Sequence, residues 1–311
     1  MSAQPFTFYP SVSADPSTWP WRNRVAIDGL LISLDVLEKV PARLRNKGDD
    51  VKSVLGFHGF VILDNGAYGT QTLFDPLIVN RVQQAMKPDI RVVLDVPTSR
   101  ALLSLSQKRA VRSTILNARH VVRANAGTAG LLAVVQGNTQ EQIASCAGAL
   151  SRMGFDHLGI PLSYMAKRRA YADAVTKVQT VRKGLRSPVQ LHALGCGSRT
   201  MMALMATLGV ASCDSSSYYM IASRGRLFEP ESMCSIGAPY SRPECSSCLK
   251  RQRPPNTFRS RCSYNLREIL KEVQRCRCAE ERGLLRQYLE TARLPHTALR
   301  KVLPLLDPGG L

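Results

Sequence analysis

The chain has 311 residues, 44% of them hydrophobic, and a formal net charge of +19. This is enough for one large α/β domain with an appendage, and it excludes a disordered or fibrous chain. No apolar run approaches the length that crosses a bilayer, and residues 1–20 are polar and proline-dotted where a signal peptide would be basic and then apolar, so a cytoplasmic protein is expected.

From Phe6 to Arg24 the sequence reads as loop, punctuated by Pro10, Pro16 and Pro20. Strand signals then recur at Ala26–Leu34, Val61–Asp64, Asp89–Asp95, His120–Arg123, Leu131–Val135, His157–Ile160, Val189–Leu194 and Val210–Cys213. Stretches with helical spacing, such as Gln140–Met153 and Tyr171–Leu185, lie between them. This alternation predicts an α/β fold, a (β/α)8 TIM barrel over residues 1–228. A doubly wound open sheet would carry a glycine-rich phosphate loop after its first strand, which is absent. Residues 229–311 are expected to form a zinc-binding segment and terminal helices, with Leu266–Val273 and Ala279–Thr291 closing on the barrel.

Several of these strands deliver a polar side chain and a glycine. Val61-Ile62-Leu63 runs into Asp64-Asn65-Gly66-Ala67-Tyr68, and other runs end at Asp95, Gln136-Gly137, Gly159, Gly195-Cys196-Gly197 and Asp214. In a parallel barrel such ends share one mouth. Alone, Asp64 could equally be a helix cap. Together, three carboxylates beside backbone amides, with no histidine among them, suit the edge of a purine and leave one carboxylate for C1′ of a sugar, the logic of a retaining glycosyl exchange. A divalent-metal site is the competing reading of the same carboxylates, and it would favour hydrolysis or phosphoryl chemistry.

The positive charge is clustered: Lys108, Arg109, Arg112, Arg119 and Arg123; Lys167, Arg168 and Arg169 with Lys177, Arg182, Lys183 and Arg186; and Lys250, Arg251, Arg253, Arg259 and Arg261. Such a surface gathers a polyanion by counterion release, which makes nucleic acid the leading partner over merely solvated helix faces. Of nine cysteines, Cys146, Cys196 and Cys213 stand singly in apolar surroundings and read as core. Cys245-x-x-Cys248 is a zinc half-site with Cys262 following, the alternative being reduced thiols.

The ordered set Asp64-Asn65-Gly66-Ala67-Tyr68, Pro88-Asp89-Ile90 through Asp95, Val135-Gln136-Gly137, Leu158-Gly159-Ile160, Leu194-Gly195-Cys196-Gly197 and Gly209 through Asp214, followed by the cysteine pair, resembles the tRNA-guanine transglycosylase superfamily over roughly residues 26–275. The resemblance implies that Asp214 is the nucleophile, Asp64 the acid/base carboxylate and Asp95 the reader of the guanine edge. It also implies that Gln136, Gly137, Gly159, Ile160 and Gly195 complete the base pocket, with Tyr68 and Leu194 on either side of the base. Arg224, Arg226, Lys250, Arg251 and Arg253 are expected on the nucleic acid. A structural Zn2+ is expected on Cys245, Cys248, Cys262 and Cys234, with Cys276, Cys278 or His296 as alternatives to the last.

Two departures stand out. Gly159-Ile160-Pro161 replaces two glycines and a leucine, removing a backbone donor, and Ser215–Tyr219 replaces an arginine-bearing turn. Nothing resembles the extra RNA-binding domain of the archaeal branch. The chain is therefore more similar to the phage and bacterial branch that places 7-deazaguanine bases in DNA, in which case the compartment of a phage enzyme is the host cytoplasm. The expected partners are DNA, with tRNA as the alternative, a free base such as preQ0, and a second copy in a homodimer. A catalytically silent nucleic-acid-binding homologue is the rival, against which the intact aspartates argue.

Overall fold

The computed structural model describes residues 5–46, 48–66, 75–98, 104–228 and 255–306. Its eight parallel strands are β1 (Thr7–Pro10), β2 (Gly29–Ser33), β3 (Phe60–Asp64), β4 (Ile90–Val92), β5 (Leu131–Val134), β6 (His157–Pro161), β7 (Gln190–Leu194) and β8 (Ser212–Ser215). They lie in the order β1-β8-β7-β6-β5-β4-β3-β2. A parallel bridge from Ser11 to Leu31, with the Val12 N–H donating to the Leu31 carbonyl at 3.0 Å, curls the two edges together into a barrel.

Alternation along the strands sorts the side chains. Leu31, Ile62, Ile90, Val92, Leu132 and Val134 form the barrel interior, with Tyr9 and Leu194 against them. Their neighbours Leu30, Ile32, Val61 and Leu63 face a first outer cluster, and Phe8, Leu131, Ala133, Leu158, Ile160, Leu191, Ala193 and Cys213 face a second. By the same parity His192, Ser212 and Asp214 point inward.

The outer layer begins with the short helices α1 (Leu34–Glu38), α2 (Ala42–Arg45) and α3 (Val51–Leu55), followed by α4 (Pro76–Ala85), α5 (Ser104–Asn125), α6 (Gln140–Arg152), α7 (Ser163–Arg168), α8 (Tyr171–Gly184), α9 (Arg199–Thr207) and α10 (Ser217–Ser223). Side-chain caps start several of them, as where Asp75 accepts from the Leu77 N–H and Thr139 from the Gln142 N–H. After residue 254 come α11 (Phe258–Glu281), α12 (Leu285–Ala292) and α13 (His296–Val302). Arg277 of α11 donates to the Phe6 carbonyl at 2.7 Å, tying this helix to the entry of β1. Among the described residues no helix is long and apolar enough to cross a membrane.

Four expectations are corrected. His120–Arg123 is not a strand but part of α5, whose Ala110, Val111, Thr114, Ala118 and Val121 recur at helical spacing on one buried face, so tertiary packing overrides the local β-branched pair. The missing strand is Thr7–Pro10, within the stretch read as loop; Pro10 is tolerated there because the seam to β2 is bridged only from Ser11 onward. The closing helices divide at Arg282–Leu284, with Gly283 at φ +68°, so residues 274–281 continue α11. Lys177, assigned to a basic surface cluster, is buried and donates to the Pro161 carbonyl at 3.0 Å.

Candidate active site

Asp214, at 6% exposure, is held by three donors, one just after β1 and two from β7 and its end. Its Oδ2 accepts from Ser11 Oγ at 2.6 Å; its Oδ1 accepts from the Gly195 N–H at 3.0 Å and from His192 Nε2 at 3.2 Å. His192 is itself only 3% exposed, and its Nδ1 lies 2.8 Å from Ser212 Oγ. With Nε2 donating to the carboxylate, Nδ1 accepts from the Ser212 hydroxyl in the neutral tautomer of the ring. Gly195 adopts φ +71°, and a Cβ there would stand 2.6 Å from that of Ser163, so glycine is what lets its N–H reach the carboxylate.

Across the mouth, Asp64 ends β3 and accepts from the Gly66 N–H at 3.3 Å. Burial and the neighbouring Asp95 carboxylate, with a smaller contribution from Asp214, push its pKa up to about 7. Asp95 is also raised by burial, against the opposing donors Asn65 Nδ2 at 3.0 Å and Gln136 Nε2 at 2.6 Å. The Gln136 Oε1 is taken by the N–H and hydroxyl of Thr98, both at 3.0 Å, so its amide is oriented with one Nε2 hydrogen left for a ligand. The Gly137 N–H donates to Thr98 Oγ1 at 3.2 Å and so supports this loop.

Gly159 faces the interior, where a Cβ would meet Leu132 at 2.8 Å and Leu194 at 3.0 Å; its missing side chain is the room in which Leu194 lies. Ile160 points outward into the helix layer at 0% exposure, leaving only its backbone to serve a ligand. Arg224 and Arg226 are exposed on the turn after α10. Tyr68, Lys250, Arg251, Arg253, Cys234, Cys245 and Cys248 lie outside the described residues.

The structure thus brings Asp64, Asp95, Gln136, Gly159, Leu194, Gly195 and Asp214 to one end of the barrel. The sequence reading missed Ser11 and His192. The signal for His192 was its place two residues before Leu194, on the same strand face.

Cys262 is buried in the main core near the start of α11, where burial pushes its thiol up to about 11. A bound cation reverses that preference, so in donor chemistry and chain position Cys262 fits as a companion of the preceding cysteine pair. Cys276 is also buried in that core, while Cys146, Cys196 and Cys213 are core as expected. Among the described residues no group of three His, Cys, Asp or Glu side chains is placed to hold a metal ion.

A parallel barrel with a hydrogen-bonded carboxylate at the end of β8 and two raised carboxylates opposite belongs to the class of sites suited to glycosyl chemistry on a flat base. The sequence comparison is specific: residues 59–293, well over half of the chain, match the family model described as queuine tRNA-ribosyltransferase, and the chain belongs to that family. Similar proteins named tRNA-guanine(15) transglycosylase include one from Thermococcus onnurineus (27% identical over 288 residues, 87% of this chain and 49% of that protein). Others are from Sulfolobus acidocaldarius (25% over 285 residues, 83% and 56%) and Methanopyrus kandleri (24% over 291 residues, 88% and 63%). The chain spans about half the length of the curated relatives it matches. These relatives carry tRNA names, and the expected kinship with the DNA branch finds no support among them.

Proposed function

We propose that the protein exchanges a guanine base in a nucleic-acid chain for a free 7-deazaguanine-type base, such as preQ0, through a covalent sugar intermediate on Asp214. The observation that carries this reading is the pairing of a triply hydrogen-bonded Asp214 with an Asp64 held near neutrality across one mouth. Oδ1 spends its lone pairs on His192 and Gly195, whereas among the described residues Oδ2 accepts only from Ser11, so Oδ2 is the oxygen with a lone pair for attack. It bonds to C1′ as the C1′–N9 bond breaks; the N9 electron pair leaves with guanine, which takes a proton from the Asp64 carboxyl. The incoming base then attacks C1′ with its N9 and gives its N9 proton to Asp64, and the Asp214 carboxylate departs. Two displacements retain configuration. Asp95 and the free Nε2 hydrogen of Gln136 read the base edge, and Leu194 lies against its face.

The names of the relatives favour tRNA as the polymer. DNA is the second reading, favoured by the turn after the nucleophile: the hydroxyls of Ser215 and Ser217 bond locally, to the Ser217 N–H at 3.0 Å and the Gly197 carbonyl at 3.1 Å, where the resemblance implies an arginine-bearing turn. Incubating the protein with preQ0 and either tRNA or guanine-containing DNA, followed by nucleoside mass spectrometry, tests both. Exchange in neither polymer overturns the catalytic reading. A zinc ion on Cys245, Cys248, Cys262 and Cys234 would be structural, and metal analysis of the purified chain is expected to find about one equivalent.

A further inference from the structure

We propose that a cavity between the β1–β2 connection, α2 and the start of α11 binds a backbone phosphate of the polynucleotide that supplies the exchanged base, an inference that rests on the base-exchange reading above. The cavity measures about 300 Å³ and is lined by Asp15, Pro16, Ser17, Arg22, Arg43 and Arg259. Among the described residues Asp15 is the only carboxylate in the lining, and its two oxygens accept from the N–H and the hydroxyl of Ser17, each at 2.9 Å. Neutral acceptors anchor Arg259: Asn23 Oδ1 and, at 3.3 Å, the Arg22 carbonyl. The Arg22 guanidinium lies 4.9 Å from the centre of the Trp19 ring. Among the described residues none of the three arginines has a carboxylate partner. Three guanidinium charges therefore face one carboxylate that is already engaged, and two of them are positioned without being neutralised. A phosphate diester, with two acceptor oxygens and one negative charge, matches that fork chemistry.

The place of the cavity fits the same ligand. Ser11, which donates to Asp214, is four residues from Asp15, a reach of at most about 14 Å of chain. The start of α11 rests on α10, the helix that follows β8: Arg261 Nε donates to the Ala222 carbonyl at 3.3 Å and Asn265 Nδ2 to the Tyr218 carbonyl at 3.2 Å. The Asp15 edge of the cavity thus lies no more than about 14 Å of chain from the residue that holds Asp214, a span of a few nucleotides.

The test compares the full chain with an Arg22→Gln/Arg43→Gln double variant, Arg43→Gln alone, and Arg152→Gln, an exposed site at the end of α6. Affinity for a guanine-containing RNA hairpin and for DNA of the same sequence is measured against salt, with inorganic phosphate as competitor and thermal melting as the fold control. The double variant is expected to bind about tenfold more weakly at low salt and to lose about one unit of the log–log salt slope, with Arg43→Gln intermediate and Arg152→Gln unchanged. Unchanged slopes in folded Arg43→Gln and double variants would overturn the site, as would competition by inorganic phosphate at an unaltered polynucleotide slope. Because the readout is binding, the expected slope change without base exchange in either polymer would overturn the catalytic reading and leave the pocket standing.

Discussion

Asp64 is the group through which pH acts most directly on this site. Its folded pKa, about 7, stands well above the value near 3.9 of an unfolded chain, so between those values the native state keeps a proton that the unfolded state has lost. Its contribution to stability is present in full below about pH 4 and is lost as pH rises to about 7. Asp64→Asn removes the penalty, and the variant is expected to gain a few kcal/mol relative to wild type at pH 8 and little at pH 4, read by denaturant titration at both. An equal gain at both values would show that the carboxyl titrates normally. His192→Phe keeps the ring and deletes the bond to Asp214. A charge-assisted bond of about 1.5–3 kcal/mol corresponds to a fall of roughly ten- to a hundredfold in kcat, with KM for the free base little changed; an unaltered kcat would remove His192 from the positioning of the nucleophile. Ser11 and His192 were not legible because their signals were masked. One sits in a proline-dotted stretch, and the other lies inside a strand whose polar end drew the attention. Asp64, Asp95, Gln136 and Asp214 were legible because each follows an apolar run.

At the scale of elements, the C-terminal helices are pinned by one buried carboxylate. Glu272 of α11, at 0% exposure, accepts from Tyr288 Oη at 2.8 Å and from Arg293 Nε and Nη2 at 2.7 and 2.6 Å, joining α11 to α12 and its end. Glu272→Gln removes the buried negative charge that Arg293 Nε and Nη2 hydrogen-bond, and a loss of about 3–5 kcal/mol is expected in chemical denaturation; a loss below about 1 kcal/mol would contradict the pinning. The exchange of one strand between Thr7–Pro10 and His120–Arg123 follows from the same physics. Val121-Val122 has strand-like residues on a helix fixed by its buried stripe, and Phe8-Tyr9 becomes a strand only because the barrel needs an eighth member between β8 and β2. Local pattern carries neither fact. Gly159, by contrast, keeps the strand place its motif marks, with Leu132 and Leu194 close to where a Cβ would stand.

At the scale of the molecule, the proposed exchange would divide the work between the excess positive charge, which would hold the polymer, and the strand-end site, which would choose the base. Lys108, Arg109, Arg112, Arg119 and Arg123 are exposed along α5, the pattern expected of a field that gathers a polyanion. Among the described residues at the barrel mouth nothing distinguishes ribose from deoxyribose, so the polymer was not legible in the strand-end motifs. The most direct measurement is denaturing electrophoresis of the protein after incubation with labelled tRNA or labelled guanine-containing DNA, for wild type and for Asp214→Asn. Wild type is expected to carry a covalent nucleic-acid adduct that disappears in Asp214→Asn while non-covalent binding persists. Base exchange by Asp214→Asn at the wild-type rate would contradict the assignment of this carboxylate as the nucleophile.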